Sequence, residues 1–224
     1  MEQKEILLEA EYSKILVPAY TYNLKDDTRL LIPFTKQEKI GFVNRDGVVV
    51  VKPQYAMYYG ECYTPEDFIK VAVIETREFS RSGGKISIYQ YPHYGPINYK
   101  GETILEPLYY GLILSTDSNE ILFTVESAVD YKWGVLNVER EIVVPFGKYT
   151  WIDGFDNGVA RVIKDGKWGL IDECGNEVLP IEYDNIWNFY GKKRDNTLAF
   201  KENRVESISL RKIWELKDTK NKGD

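Results

Sequence analysis

Three stretches of this sequence align without gaps over six columns: Lys39-Ile40-Gly41-Phe42-Val43-Asn44, Lys132-Trp133-Gly134-Val135-Leu136-Asn137 and Lys167-Trp168-Gly169-Leu170-Ile171-Asp172. Each reads Lys, large apolar, Gly, two apolar residues, then Asn or Asp. A chain that repeats itself at fixed spacing folds as stacked copies of one small unit, so this feature constrains the fold most. A turn glycine follows in phase at Gly47 and Gly175, and Arg140 takes that place in the middle copy. A second landmark is a Pro with a Tyr two to four residues behind it: Pro18-Tyr20, Pro53-Tyr55, Pro107-Tyr109, Pro145-Tyr149 and Pro180-Tyr183. These prolines lie 35, 54, 38 and 35 residues apart, which gives about five units with a period near 35. The unit between Pro53 and Pro107 carries roughly 19 extra residues.

Each unit reads as strands. Gly158-Val159-Ala160-Arg161-Val162-Ile163-Lys164 is rich in β-branched residues, and Asp165-Gly166 turns it into Lys167–Asp172. Glu173-Cys174-Gly175-Asn176 turns again into Glu177-Val178-Leu179-Pro180. Asp-Gly and Gly-Asn supply the positive φ that short hairpins require. Further turns are expected at Arg45-Asp46-Gly47, Asp26-Asp27, Ser82-Gly83-Gly84, Asp117-Ser118-Asn119 and Glu202-Asn203. Short helices are expected near Lys4–Ser13 and Ser209–Lys217. Alternation along a strand sends Trp133 and Trp168 to one side, while Gly134 and Gly169 leave the other side open to close approach. A hairpin is not stable alone, so the units must stack. Burying an indole of about 200 Å² contributes on the order of 5 kcal/mol before entropy. On that footing Trp168→Ala should cost roughly 3–5 kcal/mol.

These residues resemble the bacterial WG-repeat (KWG) proteins. The likeness is sharp from Ala128 to Trp151 and from Phe155 to Phe189, and extends over about two-thirds of the 224-residue chain. The copy at Lys39 has Ile40 in place of Trp, and the unit from Phe68 to Tyr110 lacks the Trp-Gly pair. The resemblance implies an all-β repeat module used for interaction, with no catalytic residues to carry over. The expected fold is an array of about five hairpin or three-strand meander units. About 35 residues per unit is short for a four-stranded blade, which favours an open stack over a closed propeller-like ring. Residues 1–216 are read as a single β-repeat domain with an insertion near 58–100, and 217–224 as a flexible polar tail.

Composition narrows the function. Lys and Arg number 29 against 35 Asp and Glu, a formal charge of −6, which argues against nucleic acid as a partner. No run is apolar enough for a membrane helix and the start is not a signal peptide, so the chain is read as cytoplasmic. Cys62 and Cys174 then read as reduced thiols, a single disulfide between them being the alternative. With one His and two Cys at no ligand spacing, no metal or cofactor is expected. His93 lies in Tyr89-Gln90-Tyr91-Pro92-His93-Tyr94-Gly95-Pro96, bracketed by Pro and Gly, and reads as an exposed loop His rather than a base. Asp153, Asp156 and Asp172-Glu173 offer paired carboxylates for a glycosidase-like site, but they occupy turn positions, where Asp serves backbone geometry.

The aromatics are the better lead. Tyr89, Tyr91, Tyr94 and Tyr99 surround His93 in the insertion, with Tyr58-Tyr59 and Tyr109-Tyr110 nearby in sequence. Tyr gives contact area and a hydrogen bond at low entropic cost, which suits peptide or sugar binding. The first functional expectation is a non-enzymatic module whose partner is another protein. The second is an immunity-type protein that neutralises a toxin, motivated by acidic charge and small size. The third is carbohydrate binding, and hydrolysis ranks last.

Overall fold

A computed structural model describes residues 14–15, 28–115, 120–189 and 195–221. The unit at Pro18-Tyr20, the helix expected near Lys4–Ser13 and the turns at Asp26-Asp27 and Asp117–Asn119 lie outside the described residues. The single domain read over 1–216 is described as two compact units, 1–110 and 111–224.

In the first unit the strands are β1 (Lys14–Ile15), β2 (Ile32–Lys36), β3 (Lys39–Val43), β4 (Val49–Tyr55), β5 (Met57–Tyr59), β6 (Ile69–Ser80) and β7 (Ile86–Ile97). They form an antiparallel sheet β1-β2-β3-β4 and a meander β5-β6-β7. The next strand, β8 (Tyr109–Leu114), crosses the boundary; its Tyr109 pairs with Tyr94 of β7. In the second unit follow β9 (Leu122–Ser127), β10 (Trp133–Asn137) and β11 (Ile142–Val144), ordered after the rest of β8. Then come β12 (Trp151–Ile152), β13 (Val159–Lys164), β14 (Lys167–Asp172) and β15 (Glu177–Tyr183) in a four-stranded sheet. Last are β16 (Asn185–Ile186), β17 (Asn196–Lys201) and β18 (Arg204–Ser209), closed by helix α1 (Leu210–Asn221). The fold is the expected all-β array of antiparallel meanders, and no sheet among the described residues closes into a barrel. The helix expected near Ser209–Lys217 is α1; it runs on to Asn221, so most of the segment read as a flexible tail from Lys217 is helical.

The repeat has a common geometry. Two-residue turns at Gln37-Glu38 and Asp165-Gly166, all at positive φ, close the hairpins into β3 and β14. After the signature, the third strand returns with the same irregular register. Ile40 pairs with Tyr55 and Phe42 with Val51; Trp168 pairs with Tyr183 and Leu170 with Leu179. The third strand thus gains two residues around Pro53 and Ile181, and its bulged backbone folds over the signature glycine. An ideal Cβ on Gly41 would stand 2.6 Å from the Val51 carbonyl oxygen and 2.9 Å from the Pro53 nitrogen. On Gly169 it would stand 2.9 Å from the Leu179 carbonyl oxygen. Proline suits the bulge because a residue there owes the ladder no N–H.

The unit from Phe68 to Tyr110, which lacks the Trp-Gly pair, has the same geometry. His93-Tyr94-Gly95-Pro96-Ile97-Asn98 occupies the six signature columns, with Tyr94 in the Trp place. Tyr94 pairs with Tyr109 as Ile40 does with Tyr55 and Trp168 with Tyr183, each partner 15 residues on. A Cβ on Gly95 would lie 2.4 Å from the Leu105 carbonyl oxygen and 2.9 Å from the Pro107 nitrogen. The following turn is the same in all four copies. Asn44 Oδ1 accepts from the N–H of Asp46 and Val48, Asn98 Oδ1 from Lys100 and Glu102, and Asp172 Oδ1 from Cys174 and Asn176. Asn137 Oδ1 accepts from Glu141 N–H at 2.8 Å. Gly47, Gly101 and Gly175 carry the positive φ of this turn, and Arg140 bears it at φ 69°.

The copies share cores. In the first unit Ile40, Phe42, Val51 and Tyr55 pack with Ile69, Val71 and Ile97 of the next copy. In the second, Val135 and Val144 pack with Ala160, Val162 and Ile171, and Val159, Leu170 and Leu179 pack with Ile186, Ala199 and Leu210 of α1. The Trp-bearing side therefore faces the following copy, as expected. The indoles are not the buried part: Trp133 and Trp168 lie half-buried at the rim, and the residues two places on, Val135 and Leu170, are fully enclosed. Trp168 meets Trp151 edge-on at 5.6 Å, with the Arg161 guanidinium over both rings. Half burial lowers the expected cost of Trp168→Ala from the 3–5 kcal/mol of a core indole to about 2 kcal/mol. Urea denaturation checks this, and a loss above about 4 kcal/mol would place the ring in the core after all.

Candidate interaction surface

The extra residues of the second copy do not form a loop. Beyond the pair Val73–His93, which matches the last pair before the short turn in other copies, the hairpin is prolonged by residues 74–92. The strands pair without a break from Ile69–Ile97 out to Ser80–Ile86. Pro96 accepts from Ile104 N–H on the side away from β6, so its ring nitrogen, and that of Pro92 four places earlier, point away from the ladder they share with β6. This is why two prolines coexist with a 12-residue strand. His93 is accordingly a strand residue, and its side chain is only 12% exposed; the exposed loop His expected from the sequence is not found.

Alternation on the ribbon separates two faces. One carries Glu75, Arg77 and Phe79 from β6 opposite Tyr91, Tyr89 and Ser87 of β7. Its rings form a continuous row: Phe79 to Tyr89 edge-on at 5.5 Å, Tyr89 stacked on Tyr91 at 6.5 Å, Tyr91 to Tyr110 at 6.1 Å and Tyr110 to His93 at 5.0 Å. Arg77 donates two 2.8 Å hydrogen bonds to the Glu75 carboxylate and lays its guanidinium 5.3 Å above Tyr91. Those hydrogen bonds hold the Glu75 carboxyl below its ordinary range, and His93 Nε2 lies 3.2 Å from Glu75 Oε2. At the tip Arg81 donates to the Tyr89 hydroxyl. Phe79 and Tyr89 remain 46% and 40% exposed. The opposite face presents Ile86 and Ile88, both well exposed.

Of the five residues expected to form a binding surface, the structure gathers Tyr89, Tyr91 and His93. Tyr94 points the other way, fills the signature position and packs against Tyr59 at 6.0 Å, with the Lys70 ammonium 5.1 Å from its ring. Burial pushes its hydroxyl upward in pKa, helped by the Tyr59 hydroxyl, and burial lowers that of Lys70. Tyr99 sits in the Asn98 turn and packs on the core of the first unit. Residues that sequence reading did not place on the surface are Glu75, Arg77, Phe79 and Tyr110; the period-two run Tyr89, Tyr91, His93 was the available sign that a strand, not a loop, carries them.

The remaining chemical candidates serve the fold. Asp153 is ion-paired with Arg161, Asp156 accepts from the Asn157 amide, and Asp172 caps its turn. Both thiols are free; burial pushes Cys62 up to about 11 while Cys174 is exposed. No group of three or more His, Cys, Asp or Glu among the described residues is placed to hold a metal ion.

The sequence matches the family model described as "WG containing repeat" over residues 40–59, 133–168 and 168–193. The chain carries WG repeats. The matched segments take in the apolar-Gly core of three of the four signatures, and the copy at His93–Asn98 lies between the first two, outside the matched residues. No curated protein matches the sequence. Among solved structures, the crystal structure of a protein of unknown function from Bacteroides caccae is similar at 11% identity. The match covers 80% of this chain and 74% of that one with a TM-score of 0.28. No helix among the described residues of this WG-repeat chain is long and apolar enough to cross a membrane.

Proposed function

We propose that the chain is a non-enzymatic, cytoplasmic interaction module in which WG repeats hold the β6–β7 ribbon out for a partner protein. The observation that carries this reading is the row Phe79, Tyr89, Tyr91 on a ribbon whose outer residues, among the described ones, form strand pairs with each other alone. Rings backed by neighbouring rings and clamped by the Glu75–Arg77 pair have little conformational freedom left to lose on binding. Their mixed apolar and hydroxyl character suits a protein surface, where Tyr and Arg concentrate binding energy. Residues 74–92 carry Arg77, Arg81 and Lys85 against Glu75 and Glu78, one positive charge in excess on a chain of net charge −6. The ribbon therefore favours an acidic-to-neutral site on the partner.

The test compares the full chain with its Tyr89→Ser/Tyr91→Ser variant in pull-downs from cells that produce it, followed by surface-binding kinetics on the protein retained. Each tyrosine should be worth about 2 kcal/mol, so the variant loses the partner by at least about a hundredfold, with an unchanged melting temperature. A variant that retains every partner of the unmodified chain overturns the reading. An association rate that falls steeply with salt would mark the toxin-neutralising form of it.

A further inference from the structure

The C-terminal sheet carries a second surface that is independent of the ribbon. Ile186 faces inward with Ala199, and alternation turns Asn185 and Trp187 to the other face beside Phe200 and Leu198. There a cleft of about 780 Å³ opens, lined by Arg161, Asn185, Ile186, Trp187, Asn188 and Leu198. Trp187 is 52% exposed, although a core lies one residue away. It is held out by its backbone: its N–H donates to the Leu198 carbonyl at 2.9 Å, and the buried Thr197 hydroxyl donates to its carbonyl. Phe200 supports the indole from one side, ring centres 5.1 Å apart. The floor is fixed by Arg161, which ion-pairs with Asp153 and donates to the Ile186 carbonyl at 2.9 Å. Its charge is thereby compensated, and among the described residues no other charged residue lines the cleft. The carboxamides of Asn185 and Asn188 make no hydrogen bond among the described residues.

We propose that this cleft binds a neutral saccharide, with Trp187 as the platform for the C–H face of a sugar ring and the Asn185 and Asn188 amides as partners for its hydroxyls. An indole fixed with one face open offers an apolar plane, and a carboxamide both donates and accepts, which is what a ring bearing C–H bonds on its faces and hydroxyls at its edge requires. The compensated guanidinium gives an anionic ligand no advantage. The volume matches that of small-molecule sites, which combine an apolar wall with few polar groups.

The experiment is isothermal titration of the full chain with cello-, chito-, xylo- and manno-oligosaccharides, and with an oligogalacturonate as the charged control. At least one neutral oligosaccharide should bind, and Trp187→Ala should weaken it by about thirtyfold or more. Trp187→Tyr keeps a platform and should stay within about fivefold. Asn188→Ala, at an exposed residue whose carboxamide makes no hydrogen bond among the described residues, should weaken binding about fivefold without changing the melting temperature. That variant decides the matter if Trp187→Ala fails to fold. Absence of binding by all four neutral series, equal binding by both alanine variants, or tighter binding of the oligogalacturonate overturns the proposal.

Discussion

Gly95→Ala should destabilise the chain by about 3 kcal/mol, as much as a poorly tolerated core substitution. The added methyl would meet backbone, not a side chain that can turn away: the Leu105 carbonyl oxygen at 2.4 Å, the Pro107 nitrogen at 2.9 Å and the Glu106 carbonyl carbon at 3.0 Å. Those atoms belong to the return strand, whose position is fixed by the Tyr94–Tyr109 pairing and by the Ile104 N–H bond to Pro96. Relief would require the strand to lift off β7. Gly134→Ala is the informative contrast, because there the methyl would meet the Phe146 ring at 2.9–3.0 Å, and a side chain can shift. It should cost about 1 kcal/mol. Chemical denaturation of both variants gives the comparison. A Gly95→Ala loss below about 1 kcal/mol would mean that residues 93–98 do not form a signature copy.

The same geometry shows what could be read before any coordinates. The three Lys-apolar-Gly stretches and the Pro–Tyr period announce meanders, because each records one physical need: a bare Cα that the return strand covers, with backbone at Gly41 and Gly169 and with the Phe146 ring at Gly134, and a residue in that strand without an N–H to donate. The fourth copy was hidden by Pro92, Gly95 and Pro96, which together look like a loop. In the structure the proline nitrogens face away from β6 and the glycine accepts the return strand, so all three are compatible with a long strand. The spacing held the information: Gly95 precedes Pro107 by 12 residues, as Gly41 precedes Pro53, and Asn98 precedes Gly101 as Asn44 precedes Gly47. Burial was less legible. A Trp beside a Gly suggests an enclosed ring, yet Trp133 and Trp168 lie at the rim, because the core between copies is filled by residues nearer the middle of the strand. Trp187 belongs to no motif, and its exposure follows only from the inward turn of Ile186 one place before it.

Asp172→Ala should cost about 3 kcal/mol, because this buried carboxylate accepts from Cys174 N–H at 3.0 Å, Asn176 N–H at 2.8 Å and the Asn176 amide at 3.2 Å. Asn stands at the equivalent place in the three other copies, so Asp172→Asn keeps the Oδ1 acceptor for the two backbone donors. What it loses is set by the residue four places on. Asn98 donates to Glu102 Oε2 at 2.8 Å and Asn137 to Glu141 Oε2 at 3.0 Å, whereas Asp172 accepts from Asn176. An amide at 172 would make the Asn176 carboxamide turn over so that its Oδ1 accepts where its Nδ2 donated, and Asp172→Asn alone, which gives up the charge-assisted bonds, should cost about 1 kcal/mol. Adding Asn176→Glu recreates the pairing of the copies at Asn98 and Asn137 and should recover most of that loss, a coupling of about 1 kcal/mol in a double-mutant cycle. Strict additivity of the two substitutions would show that the side-chain pair across this turn does not help to hold it. Recovery in the double variant, which leaves no carboxylate at 172, would assign Asp172 to the repeat turn, as the hydrogen bonds of the three other copies already do for their Asn.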